Sequence, residues 1–154
     1  MGSVMKGRIV AITGGASGIG LSTAKLLASR GARISIADIC QPKHLEKALA
    51  EVRAQAHGEN DVMTHQCDVS RADQVRTWLN GTKRLWGRVD HVANVAGVWS
   101  RASIGNIEES DWDRVYNVNL KVRQNGILHH ESPERHVLTK IHRALCMSLE
   151  NRPS

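Results

Sequence analysis

Residues 13–20 read Thr13-Gly14-Gly15-Ala16-Ser17-Gly18-Ile19-Gly20, with four glycines in eight positions. Such a stretch binds phosphate when it joins a strand to a helix. Free backbone N–H groups and the positive end of the helix dipole then face the anion, and glycine keeps side chains out of its path. Turns also use glycine, so the surroundings decide. An apolar run precedes the loop, a helical pattern follows it, and Asp38 stands 18 residues past Gly20. A carboxylate at that distance, at the end of a second strand, can accept from the hydroxyls of an adenosine ribose and would repel a 2′-phosphate. Neither Ser17 nor the neighbours Ile39 and Cys40 offers a cation to hold such a phosphate. The chemistry indicated is dinucleotide binding, with NAD favoured over NADP and Gly14, Ser17, Gly18, Ile19, Gly20 and Asp38 as the residues in contact.

The elements that must position these residues alternate along the chain. Residues 8–12 form a near-continuous apolar run, as a strand buried on both faces does. From Gly18 the pattern is helical, with Ala24, Leu27 and Ala28 on one face and a stop at Gly31. Ile34 to Asp38 reads as a second strand, and residues 43–56 are rich in helix formers, with Pro42 well placed near their start. Residues 62–67 make a more polar strand, suited to a sheet edge. Ser70 with Asp73 predicts a capping box opening a helix that carries Val75, Trp78, Leu79, Leu85 and Trp86 at helical spacing, the tryptophans as core packing. A fourth strand is expected over 91–96, stopped by Gly97, and Ser110 with Asp113 is expected to cap a last helix bearing Trp112, Val115 and Val118. This alternation implies crossover units and a parallel sheet.

The chain has 154 residues, 41% hydrophobic and 23% charged, which suits one folded domain. No apolar run reaches the roughly 18 residues of a membrane span. The first residues lack the apolar core of a signal peptide, and Lys6 stands where a myristoylation motif needs Ser or Thr. Cys40, Cys67 and Cys146 are odd in number and widely spaced, so no disulfide framework is indicated. Asn80-Gly81-Thr82, a glycosylation pattern, is read as chance. The expectation is a soluble, cytoplasmic chain. Its net charge of +6 is scattered, with one tyrosine and no phenylalanine. Specific nucleic-acid recognition is therefore not expected, because stacking platforms are scarce.

The Thr-Gly-x-x-x-Gly-x-Gly spacing resembles the signature of the short-chain dehydrogenase/reductase family. Three further stretches agree in order. Cys67-Asp68-Val69 resembles the family's Asp-Val beside the adenine, where the carboxylate accepts from the exocyclic amine. Asn94-Val95-Ala96-Gly97 resembles the Asn-x-Ala-Gly segment that steadies the sheet and lines the cofactor. Asn117-Val118-Asn119-Leu120 resembles the helix segment whose Asn, here Asn119, orders a water in the proton relay. The resemblance covers residues 8–120. It implies a Rossmann-type doubly wound parallel sheet and NAD(P)-dependent hydride transfer between an alcohol and a carbonyl. It adds Asp68, Val69, Asn94, Ala96 and Gly97 to the cofactor residues and Asn119 to the catalytic ones.

In that family a tyrosine gives or takes the hydroxyl proton. A lysine four residues on, about 40° round the helix, lowers the phenol pKa, and a serine on the next strand orients the substrate. No residue of this sequence occupies a matching position. Tyr116 precedes Asn119; Leu120 is four residues on, and Lys121, five on, would lie about 140° round an α-helix. Ser132 and Ser148 follow no strand-like run, and Lys140 has no tyrosine before it. Turnover by these residues alone is not expected.

The match fades near Lys121 to Arg123. The expected organisation is a dinucleotide-binding domain over 1–122, incomplete at about four strands, and a basic, His-rich, irregular or helical tail over 123–154. Asn125-Gly126 and Ser132-Pro133 are turn signals there, and a short helix over 137–149 is one reading. His142 and Cys146 with His129 or His136 could form a zinc site, but nothing fixes the remaining ligands, and no metal is assigned. The expectation is the amino-terminal part of a family member followed by unrelated residues. Strand order 3-2-1-4 would leave the apolar fourth strand at an edge, inviting homo-oligomers or other association. The alternatives to a small-molecule oxidoreductase are a non-catalytic dinucleotide-binding fragment and a basic interaction module on the same fold.

Overall fold

The computed structural model describes residues 5–100, 102 and 104–121. The tail helix, the turns and the histidine–cysteine cluster expected over residues 122–154 lie outside the described residues.

β1 (Ile9–Thr13) is buried at all five positions, as its unbroken apolar run requires. It sits inside a parallel sheet ordered β3-β2-β1-β4, between β2 (Arg33–Asp38) and β4 (His91–Asn94). β3 (Val62–Gln66) pairs only with β2 and is the more polar edge, as expected. The expected fourth strand ends two residues early, at Asn94, because Val95 and Ala96 turn their N–H groups to the Thr13 hydroxyl instead of a strand partner. Among the described residues, β4 pairs only with β1.

Side-chain alternation along the strands builds two cores. Val10, Ile12, Ile34 and Ile36 face α1 (Gly18–Ser29) and α2 (Pro42–Arg53), packing on Ala24, Ala28, Leu45 and Val52. Ala11, Ala37 and Val92 face α3 (Ala72–Trp86), packing on Val75, Trp78 and Leu79. The second core has a polar lock at its centre. Trp78 Nε1 donates to Ser35 Oγ at 2.8 Å, and that hydroxyl shares a 2.7 Å hydrogen bond with Thr82 Oγ1. The burial of an indole therefore leaves no donor unmet.

Three local expectations differ from the structure. Ser70 does not cap α3: its N–H and its hydroxyl both bind Asp68 Oδ1, at 2.9 and 2.7 Å, so the serine closes a turn and Arg71 precedes the helix. Ser110 lies inside the first turn of α4 (Glu109–Tyr116), whose cap position is Glu108. On α3, Leu85 is 58% exposed because the core face ends at Thr82. Beyond a 3-10 turn (Ile104–Asn106) and α4, the chain continues as a π-helical turn over Asn117–Lys121. The angle of about 140° expected for Lys121 belongs to 3.6 residues per turn, and this wider winding does not obey it. Trp112 is 61% exposed, and α4 buries none of its residues.

Candidate functional site

The chain leaves β1 toward β2 on one side and returns to β4 on the other, so the strand order reverses between the paired strands β1 and β4. Ligands of open α/β sheets bind beyond the carboxyl ends at such a reversal. A cleft of about 330 Å³ lies there. One wall is the loop after β1 with the first turn of α1, comprising Gly14, Ser17, Gly18, Ile19 and Gly20. The ends of β2 and β3 supply Asp38 and Ile39, then Cys67, Asp68 and Val69. The stretch Val95-Ala96-Gly97-Val98 forms the facing wall, with Val118 from the π-turn behind it.

The glycines of the loop do different jobs. A Cβ on Gly14, whose φ is +66°, would stand 2.7 Å from the Ala96 Cα, and one on Gly20 would stand 2.1 Å from the Gly14 carbonyl oxygen. Both spaces are already filled by protein, so these two glycines let the loop, α1 and the β4 wall close on one another. Gly18 is the contrary case: φ is +51°, and a Cβ there would meet nothing within 4 Å. Open space therefore lies in front of the first turn of α1. Ser17 at its cap position makes no side-chain hydrogen bond to the helix, and the first-turn N–H groups have no intrahelical partner by geometry. This is a cradle for an anion built from backbone donors. Among the described residues, no lysine or arginine lines the cleft, and its charged residues are Asp38 and Asp68. These residues fit a dinucleotide, with backbone donors for a diphosphate and carboxylates for hydroxyl and amine groups.

Asp38 is half-buried and already engaged: Oδ2 accepts the Ala16 N–H at 3.0 Å and Oδ1 accepts the Cys40 N–H at 3.2 Å. Asp68 spends Oδ1 on Ser70, and its own N–H donates to Gln74 Oε1 at 2.7 Å. The Thr13 hydroxyl accepts the N–H groups of Val95 and Ala96 at 3.1 and 3.2 Å, tying the two walls together. Burial and then the Asp68 and Asp73 carboxylates push the Cys67 thiol up to about 11. Burial and then Asp38 also raise Cys40.

Ten of the predicted residues line this cleft; Asn94 and Asn119 do not. Asn94 lies at the end of β4 with both side-chain polar atoms buried and unpartnered. Asn119 stands behind the wall, its amide bound to the backbone of Val98. Sequence reasoning missed Ile39, Cys67, Val95, Val98 and Val118 as lining residues, although each adjoins a motif residue, and missed Thr13 as a tie. Tyr116 is 50% exposed on α4 and does not line the cleft. Among the described residues, no group of three or more metal-ligating side chains occurs, and no helix is long and apolar enough to cross a membrane.

Comparison with known proteins agrees with this geometry. A family model described as short chain dehydrogenase matches residues 8–127, a little past the point where the motifs fade. A short-chain dehydrogenase/reductase, aba4, of Botryotinia fuckeliana is 46% identical over 127 residues, which cover 78% of this chain and 47% of the relative. Chanoclavine-I dehydrogenase easD of Claviceps purpurea is 38% identical, with 81% of this chain and 48% of that protein covered. Among solved structures, a short-chain dehydrogenase from Novosphingobium aromaticivorans superposes with a TM-score of 0.75 at 31% identity, covering 82% of this chain and 45% of that one. An NAD+-bound xylitol dehydrogenase superposes with a TM-score of 0.75 at 27% identity, covering 82% and 48%. The chain thus spans about half the length of the curated relatives it matches.

Proposed function

The chain belongs to the short-chain dehydrogenase family, a family of oxidoreductases, and from the chemistry of the cleft we propose that it binds NAD in preference to NADP. The observation that carries this reading is the pairing of an open backbone-donor cradle at Gly18 with the two carboxylates Asp38 and Asp68 in one cleft. The first turn of α1 holds the diphosphate. Asp38 accepts from the ribose diol and repels a 2′-phosphate, with no cation among the described lining residues to offset it. Asp68 keeps one carboxylate oxygen clear of Ser70 for the adenine amine, and Val69 packs beside it.

When bound, the nicotinamide supplies the hydride donor or acceptor for an alcohol–carbonyl pair. The chain's own contribution is to orient and enclose it. Ala96 and Gly97 form the facing wall, and Asn119 holds that wall through Val98. Small alcohols or carbonyls are the substrate class, and the cytoplasm is the compartment. Association runs through the edge of β4.

A second reading is favoured by Tyr116, the sole tyrosine, which stands exposed and outside the cleft. These 154 residues would then bind the dinucleotide without turning it over.

Titration with NADH and NADPH, followed by nicotinamide fluorescence, tests the binding reading. We expect NADH to bind at least tenfold more tightly, and equal affinities or none would overturn the proposal. Turnover on generic secondary alcohols then separates the two readings, and light scattering at micromolar concentration tests association, which a sharp monomer would refute.

A further inference from the structure

We infer that Asp38 is, besides a ribose contact, the strut that sets the shape of the phosphate cradle. This rests on the nucleotide-binding reading above and assigns Asp38 a positioning role within it.

The loop after β1 is pinned at three consecutive amides. Gly14 and Gly15 donate to the Ala37 carbonyl oxygen at 2.8 and 3.5 Å, and Ala16 donates to Asp38 Oδ2 at 3.0 Å. Among the described residues, Asp38 is the only side chain hydrogen-bonded to Gly14–Ser17, and Ser17 supplies no cap of its own. A segment this rich in glycine has many backbone conformations to choose from and needs an outside constraint to hold one. The constraint at Ala16 is charge-assisted, hence about twice as strong as a neutral hydrogen bond. The other oxygen of the same carboxylate holds the Cys40 N–H, so the side chain bridges the loops after β1 and β2. Immediately beyond Ala16 the chain makes the positive-φ step at Gly18 that opens the cradle.

The two roles of Asp38 differ in sign for a nucleotide that has no diol. By charge alone, a carboxylate beside a diphosphate site repels the ligand. If Asp38 served only the ribose, removing it would leave the binding of a diol-free nucleotide unchanged or tighter. If Asp38 is the strut, removing it slackens the cradle and weakens that same ligand.

The probe is 2′,3′-dideoxyadenosine 5′-diphosphate, titrated calorimetrically against the full chain beside ADP. We expect Asp38→Ala to lose about tenfold in affinity for the dideoxy nucleotide, the scale of one charge-assisted hydrogen bond. Asp38→Asn, whose amide oxygen can still accept from Ala16, should restore most of it. Amide exchange on the unliganded chain gives a second readout. In Asp38→Ala the Ala16 N–H should exchange fast while Ile12 in β1 stays protected, which also reports that the variant is folded. Should Ile12 lose protection, the isosteric Asp38→Asn decides through exchange alone: with only a neutral acceptor left, the Ala16 N–H should exchange faster than in wild type while Ile12 stays protected, and unchanged exchange at Ala16 overturns the strut. Equal or tighter binding by Asp38→Ala, or unchanged protection at Ala16, overturns the strut. Failure of the wild-type chain to bind either nucleotide would instead overturn the nucleotide reading, and the exchange at Ala16 would still judge the strut.

Discussion

Asn119 grips Val98 at both ends: its Nδ2 donates to the Val98 carbonyl oxygen at 2.8 Å, and its Oδ1 accepts the Val98 N–H at 2.8 Å. The pair is separated by 21 residues, and the contact fastens the π-turn to the wall of the cleft. The same amide oxygen would lie 3.4 Å from a Cβ on Gly97. Asn119 thus acts on the cleft through the Gly97–Val98 backbone, with its own amide committed there.

Asn119→Asp replaces the donor with a carboxylate oxygen facing the Val98 carbonyl. We expect about 1 to 2 kcal/mol of lost stability, from one hydrogen bond removed and a repulsion gained, and NADH affinity reduced about tenfold as the wall shifts. Urea denaturation and NADH titration measure the two effects. Unaltered affinity would show that the wall holds without the clamp.

The glycine loop predicts opposite outcomes at two positions. Gly20→Ala places a methyl group 2.1 Å from the Gly14 carbonyl oxygen, so the loop must move and the fold loses stability by about 2 kcal/mol or more. Gly18→Ala meets no atom and costs only the positive-φ strain of about 1 kcal/mol, yet it puts a methyl group into the cradle. Thermal melting should therefore penalise Gly20→Ala more heavily, and nucleotide titration should register a clear loss for the still-folded Gly18→Ala.

Cys67, with its thiol pushed up to about 11 by burial and by Asp68 and Asp73, should resist iodoacetamide at pH 8 and react about tenfold faster with each added pH unit toward that value. The raised value also has a sign for stability. The unfolded thiol ionises near its ordinary 9.0 while the folded one stays neutral, so stability is whole below that pH and falls as pH rises from there toward 11. Peptide mapping after alkylation, with urea midpoints at pH 8 and 10.5, checks both. Rapid labelling of Cys67 at pH 8 in the folded chain would contradict its burial.

Asp90, 5% exposed, accepts the Ile9 N–H on Oδ2 at 2.8 Å, and its own N–H donates to the Ile9 carbonyl oxygen at 2.9 Å. Arg88 Nε meets both carboxylate oxygens at 3.0 and 3.1 Å. Asp90→Ala leaves a buried strand N–H without its acceptor and should destabilise the chain by about 2 kcal/mol. Arg88, half in water, should matter much less when replaced by Ala. Similar losses for the two variants in urea would show that the ion pair outweighs the backbone bond.

Much of the architecture was legible because its signals are local. The buried run before Gly14, the glycine cluster, the acid at the end of β2 and the more polar edge strand each depend on neighbours in sequence, and all appear in the expected order. Local signals failed where a nearby competitor existed. Ser70 carries the residue type of a helix cap but finds Asp68 first, and Ser110 falls one residue inside its helix. Leu85 keeps helical spacing but runs past the end of the core.

The alternation of strands and helices, the backbone-donor loop and the residue types that could surround a dinucleotide are all readable from the amino-acid order. These follow from burial period and from glycine's missing side chain, which are properties of short stretches. What each residue does there follows from the folded arrangement of distant segments. That arrangement presses Gly14 against Ala96, leaves Gly18 facing open space, turns Asp38 onto Ala16 across 22 residues and spends Asn119 on Val98. The reason is that parallel pairing of β1 with both β2 and β4 sets the ends of distant segments side by side, and those distances exist only once the sheet has formed.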